Sequence, residues 1–322
     1  MNFGRAPLRQ HCVKTVIAIV RLSRLKFVIG GLLSIALGTV IARYEGHPFG
    51  LAACLLALFT VTIFQLMTHY SNDYFDRECD ERSVPTAFSG GSGVLPRSEL
   101  TPIFAARLAL ATASLGLFAT IIIAIQFSIT AAALAISSGI LSWSYSAPPA
   151  RLLARGLGEL TTALVVAILA PLFGYAMQTG GIDARAVVST IPAACAMFAM
   201  MLCVEIPDIQ SDGASGKVNL LVRFGLASAR RLIEAFTLAI FVAAAVGVFL
   251  RAVPPMFGYF ALGAVPVAIS LWRTLERPGA LAASSHSVQG VAIAARGVLL
   301  FAVTVACGAL GYAAAIYNKG AV

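Results

Sequence analysis

Charge is what this chain of 322 residues has least of: Asp, Glu, Lys and Arg together make up 11% of it, against about a quarter in soluble domains. That shortage excludes an ordinary cytosolic enzyme, and the abundance of apolar residues excludes a disordered tail. Histidine is scarce, at 4 residues, and the six cysteines (Cys12, Cys54, Cys79, Cys195, Cys203, Cys307) form no CxxC pair and no Cys/His metal spacing. A zinc site and a secreted disulfide framework are therefore set aside. Most of these thiols sit in apolar stretches, where a thiol acts as a small hydrophobe. What fills the chain is apolar: 59% of residues, arranged in charge-free runs of 16 to 43. A membrane span needs about 20 such residues. The composition is that of an all-α integral membrane protein that crosses the bilayer several times.

The longest run, Leu108 to Ala150, holds 43 residues. As one helix it would reach roughly 65 Å, about twice the hydrocarbon thickness, so the chain must turn inside it, near Gln126–Ser128. Segmentation on charge predicts nine spans, at about 27–43, 49–70, 102–125, 128–146, 156–178, 186–206, 229–250, 255–273 and 296–317. Residues 1–322 read as a single membrane domain, with 1–26 a basic surface segment and 27–317 the nine-helix bundle. Within the basic segment, 12–24 fits a short amphipathic helix on the cytoplasmic surface. The basic residues before Phe27 resemble the start of a signal peptide, but no small-residue cleavage site precedes Arg43, so an uncleaved first helix is expected.

Orientation follows from counting. With the N-terminus inside, 19 of the 23 Lys and Arg fall in inner segments, leaving Arg43, Arg185, Arg251 and Lys319 outside. That is the bias of positive-inside insertion, and it predicts a multi-pass protein of the inner (cell) membrane with a cytoplasmic N-terminus. The same placement removes nucleic acid as a partner despite a net charge of +9. Basic residues mark the ends of spans rather than one phosphate-binding patch, and the partner is membrane lipid.

Acidic residues number only 14, yet 8 of them fall in two windows: Asn72-Asp73-Tyr74-Phe75-Asp76-Arg77-Glu78-Cys79-Asp80-Glu81 and Glu205-Ile206-Pro207-Asp208-Ile209-Gln210-Ser211-Asp212. Each follows an apolar span that runs from outside to inside, so both arrive at the cytoplasmic rim. If the helices continue, Asn72, Asp76 and Asp80 recur every four residues on one face, and Glu205, Asp208 and Asp212, three and four residues apart, share a face as well. Pro207 is expected to bend or loosen the second window. Carboxylates stacked near a bilayer repel one another and mark functional sites. A divalent cation relieves that repulsion. The donors are oxygens, which selects a hard cation such as Mg²⁺, and Mg²⁺ completes its octahedron with phosphate oxygens and water. Two facing clusters of this kind point to a diphosphate held through metal ions. Taken singly, either window also reads as the solvated end of a helix.

The loops add cationic and flexible parts. Residues 89–97 (SGGSGVLPR) can bring backbone N–H groups and Arg97, or Arg82 before it, over a phosphate, although a plain connector has the same composition. Gly216-Lys217 offers an ammonium after the second window, and Tyr145-Ser146-Ala147-Pro148-Pro149 closes the fourth span. His69 lies one turn before Asn72, and Gln65 one turn deeper; both read first as packing residues on an apolar helix, with a cavity-facing role as the alternative. Met197, Met200 and Met201 read as lipid-facing or core residues of the sixth span.

NDYFDRECD resembles the first acidic motif of the UbiA superfamily of intramembrane prenyltransferases, and EIPDIQSDGASGK resembles the second. SGGSGVLP and YSAPPARLLARGLGE are similar to the MenA branch, the 1,4-dihydroxy-2-naphthoate polyprenyltransferases of quinone biosynthesis. The likeness spans roughly 20–310. It implies a nine-helix bundle with a cytoplasmic cap over a central cavity, and Mg²⁺-dependent transfer of a prenyl group from an allylic isoprenyl diphosphate to an aromatic acceptor. By the same resemblance Asn72, Asp76 and Asp80 would hold one Mg²⁺, with Asp73 nearby, and Asp208 and Asp212 with Glu205 a second. Arg82, Arg97 and Lys217 would neutralise the diphosphate, Tyr145 and Ser146 would approach the reacting end, and Arg24 would orient an acidic acceptor. The chain departs from the pattern at Val218-Asn219-Leu220, where Arg-Thr-Leu is common, and at Glu205, where Asn or Asp is usual. Other acceptors (a quinolone or a phenol), terpene cyclisation, and an ion-coupled transporter are the competing readings. Acids at one rim rather than at mid-span count against the transporter.

Overall fold

The computed structural model describes residues 5–81, 86–88, 91–277 and 288–320, with side chains from residue 13 onward. Among the described residues the chain is helical, with no strand. The order is α1 (Arg5–Leu22), α2 (Leu25–Tyr44), α3 (Leu51–Phe75), α4 (Arg77–Asp80), α5 (Pro102–Gln126) and α6 (Ile129–Ser144). Next come α7 (Gly158–Thr162), which runs through a π-helical turn (Ala163–Leu169) into α8 (Ala170–Thr179), then α9 (Ala184–Glu205) and α10 (Ile209–Ala214). The chain finishes with α11 (Leu220–Phe249), α12 (Pro255–Ala261), α13 (Val265–Leu275) and α14 (Val288–Gly320). Eight stretches among the described residues are long and apolar enough to cross a membrane, and the expected span 128–146 appears as the shorter apolar helix α6. Its 16 residues make about 24 Å, short of a hydrocarbon core of about 30 Å.

The turn expected inside the long charge-free run is there. Ser128 sits between α5 and α6, and its hydroxyl accepts from the Thr130 and Ala131 backbone N–H groups at 3.1 and 3.2 Å, satisfying donors that the first helical turn leaves free. Asp183 caps α9 through Arg185 N at 2.7 Å, and Asn219 caps α11 through Val222 N at 2.9 Å. That last cap starts α11 nine residues earlier than charge segmentation placed it, because the polar turn bearing Arg223, Arg230 and Arg231 is helical too. Gly225 interrupts it with φ +75°, a conformation open to glycine. The π-helical turn has no signal in the sequence.

In the bundle α3 lies against α5, α2 against α8, and α9 against α11 and α14. Large apolar side chains such as Phe249, Ile125 and Ile129 point outward, exposed by 85%, 77% and 74%, as lipid-facing residues do. Inside, Phe64, Met197, Met200, Met201, Leu202, Ile240 and Tyr312 form the core. Buried hydroxyls at Thr60, Thr237 and Thr304 return their protons to carbonyls four residues back. The α2–α8 seam depends on missing side chains: a methyl on Gly38 would overlap the Pro171 carbonyl, and one on Gly174 would meet the Ile35 carbonyl at 2.6 Å. Small residues that let backbones meet are a main source of helix association in lipid.

The ends of the helices separate into two faces. At one, Tyr175 bonds Glu45, Gln178 Oε1 accepts from Gly50 N at 2.8 Å, and Ser128 donates to the Gly180 carbonyl at 2.7 Å. At the other lie both acidic windows. We expect Gly38→Val to lower the thermal midpoint of the detergent-solubilised protein by the equivalent of about 1–3 kcal/mol, the usual cost of overpacking. Ile125→Ala, on the lipid face, should change it by less than about 0.5 kcal/mol; equal effects would remove the close seam from the account.

Candidate active site at the carboxylate-bearing end of the bundle

Helix α3 does not run straight through the first acidic window. It ends at Phe75, Asp76 takes non-helical angles (φ −95°, ψ 5°), and the chain resumes as α4. The Asp80 and Cys79 amides still bond the Asp76 carbonyl at 2.9 Å, so Asn72, Asp76 and Asp80 stay close. Asn72 Nδ2 donates to Asp76 Oδ2 and to Ser146 Oγ, both at 2.8 Å, which joins the window to the C-terminal end of α6. In the second window Pro207 loosens the helix as expected, into a 3₁₀ turn over Ile206–Asp208 before α10. Asp208 is half-buried there, while Glu205 and Asp212 are buried.

The two windows meet across Lys217. Its ammonium lies 3.1 Å from Asp76 Oδ2 and 3.6 Å from Asp212 Oδ1. Burial works against that charge, but Asp76 and then Asp212 outweigh it and hold the lysine protonated above its ordinary range. Asn219 Nδ2 donates to the other Asp212 oxygen at 2.8 Å, and Cys79 Sγ stands 3.6 Å from Asp212 Oδ1. Glu159, fully buried, accepts from Leu220 N at 2.8 Å and so fixes the segment that carries Lys217 and Asn219.

A second layer forms around Asp73, which is 1% exposed. Arg24, in the left-handed region at φ 44° between α1 and α2, pairs with one of its oxygens, and Ser92 of the glycine-rich loop donates to the other. Burial disfavours the Arg24 charge, but Asp73 and Asp80 more than restore it. Gly91, at φ +71°, covers Asp80 so closely that a methyl there would overlap the carboxylate. Burial pushes the Asp80 carboxyl up to about 7, with Arg24 pulling the other way and Asp73 adding to the rise. Arg97 stands further out, bonded to Glu99 at 2.9 Å and to the Ser92 carbonyl at 3.3 Å, and among the described residues it has no hydrogen bond or ion pair to the acidic windows. Arg82 lies outside the described residues.

Tyr145 and Ser146 flank the cluster. Tyr145 lies near Glu205 and Glu159. Glu205 and Glu159 face each other, and among the described residues no further donor reaches either Glu205 oxygen or Glu159 Oε2. Two buried carboxyl groups held together in this way carry a cost that a shared proton or a hard cation relieves. Mg²⁺ takes one or two carboxylates and leaves its other positions to phosphate and water. The donor set therefore fits Mg²⁺ and not zinc. Sequence reasoning missed Glu159, Asn219, Cys79 and Ser92. Glu159 and Ser92 lie in stretches already singled out, and Asn219 in the departure after Lys217, but nothing in their spacing reveals tertiary hydrogen bonds.

The model of the UbiA prenyltransferase family matches residues 31–286. A 1,4-dihydroxy-2-naphthoate octaprenyltransferase of Bacillus subtilis is 26% identical over 202 residues, 62% of this chain and 64% of that protein. A protein of the same description from Mycobacterium tuberculosis is 27% identical over 186 residues, 56% and 61% of the two chains. The matched region thus spans less than two thirds of these relatives. Among solved structures, a UbiA homolog from Archaeoglobus fulgidus bound to GPP and Mg²⁺ superposes with TM-score 0.66 at 16% identity, covering 90% of this chain and 99% of that one. The apo UbiA homolog from Aeropyrum pernix K1 gives 0.62 at 16%, covering 92% and 98%. At such identities the structural likeness establishes the fold. The family match is what takes in both acidic windows and the helices that bring them together, and by it the chain belongs to the UbiA prenyltransferase family.

Proposed function

We propose that this protein transfers a prenyl group from an allylic isoprenyl diphosphate to an aromatic acceptor, with Mg²⁺ as cofactor. The observation that carries the reading is the meeting of the two acidic windows across Lys217 at one end of an apolar bundle. Asn72, Asp76 and Asp80, with Asp73 behind them, would hold one ion; Glu205, Asp208 and Asp212 would hold a second. Bound there, Mg²⁺ supplies Lewis-acid neutralisation of the charge on the departing diphosphate. Lys217 would turn its ammonium from the carboxylates to diphosphate oxygens, with Arg82 and Arg97 on the loop completing the cationic side. Tyr145 and Ser146 would border the reacting carbon. The C1–O bond breaks with its electron pair on the diphosphate, a ring carbon bonds C1, and the ring gives up one proton. Apolar walls keep water from the allylic cation.

The relatives' description as naphthoate octaprenyltransferases and the neighbours bound to GPP or DMAPP with Mg²⁺ support this reading. A 1,4-dihydroxy-2-naphthoate-like acceptor in quinone biosynthesis is the version we favour. The excess of Lys and Arg in segments at the carboxylate-bearing end supports a cytoplasmic active site and N-terminus in the cell membrane.

Asp76→Ala and Asp208→Ala should each lower Mg²⁺-dependent diphosphate release by about 10²–10³-fold or more, with the detergent melting curve retained. Near-normal release from either variant would remove the metal assignment. For orientation, single cysteines at Ser98 and Pro48 on a cysteine-free background should label from opposite sides of sealed vesicles, Ser98→Cys from the cytoplasmic side. Labelling of Ser98→Cys from outside intact cells would invert the topology.

A further inference from the structure

The end of the bundle opposite the carboxylates holds a cleft of about 180 Å³ that the proposed chemistry leaves unused. It opens where the last turns of α2, α11 and α14 meet the start of α9. A cavity of about 150 Å³ is enough to take a benzene ring, so a small headgroup fits. The floor is apolar and aromatic: Val253, Tyr44 and Tyr312, whose hydroxyl is already bonded to Ser189 at 2.5 Å. Arg185, Arg251 and Glu45 complete the lining, and both arginines are exposed.

Charge segmentation leaves only four of the 23 Lys and Arg at this end, and four different helices bring all of them to one corner. Beside the two arginines of the cleft, Lys319 Nζ lies 3.6 Å from the centre of the Tyr44 ring and donates to the Tyr44 carbonyl at 3.1 Å. Arg43 donates to the His47 carbonyl at 2.6 Å. The acids at this end are Glu45 and Asp183, and other groups engage both. Glu45 accepts from the Tyr175 hydroxyl, and Asp183 from the Arg185 amide at 2.7 Å. Among the described residues neither the Arg185 nor the Arg251 guanidinium makes a hydrogen bond or an ion pair.

The backbone at Arg251 adds an independent observation. It stands just past α11 in the left-handed region, at φ 56°, where helices commonly end on glycine because a Cβ is disfavoured. Its amide bonds the Val248 carbonyl at 3.0 Å and the next amide bonds the Gly247 carbonyl at 2.9 Å, so the turn holds that conformation. A long cation thus occupies a position that favours no side chain, and it lines the cleft.

Guanidinium groups without acceptors favour phosphate oxygens, which they bind in pairs. Tyrosines at the ends of membrane helices sit at the depth of lipid headgroups, and basic pockets between such helices bind anionic ones. We propose that this cleft seats the phosphodiester headgroup of an anionic membrane lipid, with Arg185 and Arg251 on the phosphate and the Tyr44 and Tyr312 rings beneath it. A lipid held there links the ends of α2, α9, α11 and α14. The site is separate from the carboxylate cluster and does not rest on the prenyl-transfer reading.

The test is native mass spectrometry of the full-length protein in detergent, titrated with phosphatidylglycerol or phosphatidylcholine. The tightest phosphatidylglycerol should bind about 10-fold more strongly than phosphatidylcholine, and the Arg185→Ala/Arg251→Ala double variant should lose about that factor. Arg251→Gly removes the cation and suits the backbone, so it should weaken binding by about 3-fold or more with the melting curve retained, and it decides the matter if the double variant fails to fold. Arg231→Ala, which removes a cation at the carboxylate-bearing end, should change the affinity by less than about 2-fold. Equal binding of the two lipids, equal losses in Arg231→Ala and Arg251→Gly, or undiminished binding in Arg251→Gly overturns the assignment. Displacement of the bound lipid by millimolar glycerol phosphate assigns the cleft to a soluble phosphate and overturns the lipid.

Discussion

Several carboxylates have been drawn into one end of an apolar bundle with a single lysine between them. Asp76 and Asp212 come from windows more than 130 residues apart, and Lys217 lies within 3.6 Å of both. Bringing such groups out of water is costly, and like charges at close range repel strongly where the dielectric is low. The ammonium offsets part of that, and Asn72 and Asn219 satisfy one oxygen on each side. At Glu205 and Glu159 the compensation is incomplete. In the proposed reaction such a site would exchange a lysine contact for cations and an anionic substrate.

The surrounding structure holds this arrangement in register. Glu159 and the Ala154 carbonyl grip the backbone at Leu220 and Val218, so the segment after α10 cannot carry Lys217 elsewhere. On the opposite side Arg24, Asp73 and Ser92 join the α1–α2 hinge, α3 and the glycine-rich loop into one polar layer above Asp80. The close α2–α8 seam fixes the hinge against the bundle. Helix ends and the short turns beside them thus supply the carboxylates that would face a metal, and the polar segments around them supply the groups that adjust.

Much of this was legible before any coordinates. Charge-free runs located the spans because lipid tolerates few charges, and the Gln126–Ser128 turn followed from length alone. The two acidic windows stood out because carboxylates are rare in such a chain. What could not be read was set by tertiary contact. Glu159 looks like one more polar residue until Leu220 N arrives at its oxygen. The starts of α11 and α14 came eight or nine residues early because helices continue beyond the membrane, where charge no longer marks their ends. Arg97 stands out as a phosphate ligand by position, and only the structure shows its bond to Glu99 two residues away. His69 and Gln65 had only their place on α3 to recommend them, and the carbonyls they bond belong to Ser23 in the α1–α2 hinge and to Phe27 in the first turn of α2.

The most direct measurement of the central claim is electron–nuclear double resonance on protein loaded with Mn²⁺ in place of Mg²⁺ and a non-cleavable allylic diphosphate analogue. The account predicts phosphorus coupling to bound Mn²⁺ that needs both windows, so that removing either the Asp76 or the Asp212 carboxylate weakens it. Coupling that survives the loss of one window, or Mn²⁺ bound with no phosphorus nearby, would contradict a single diphosphate site shared between them.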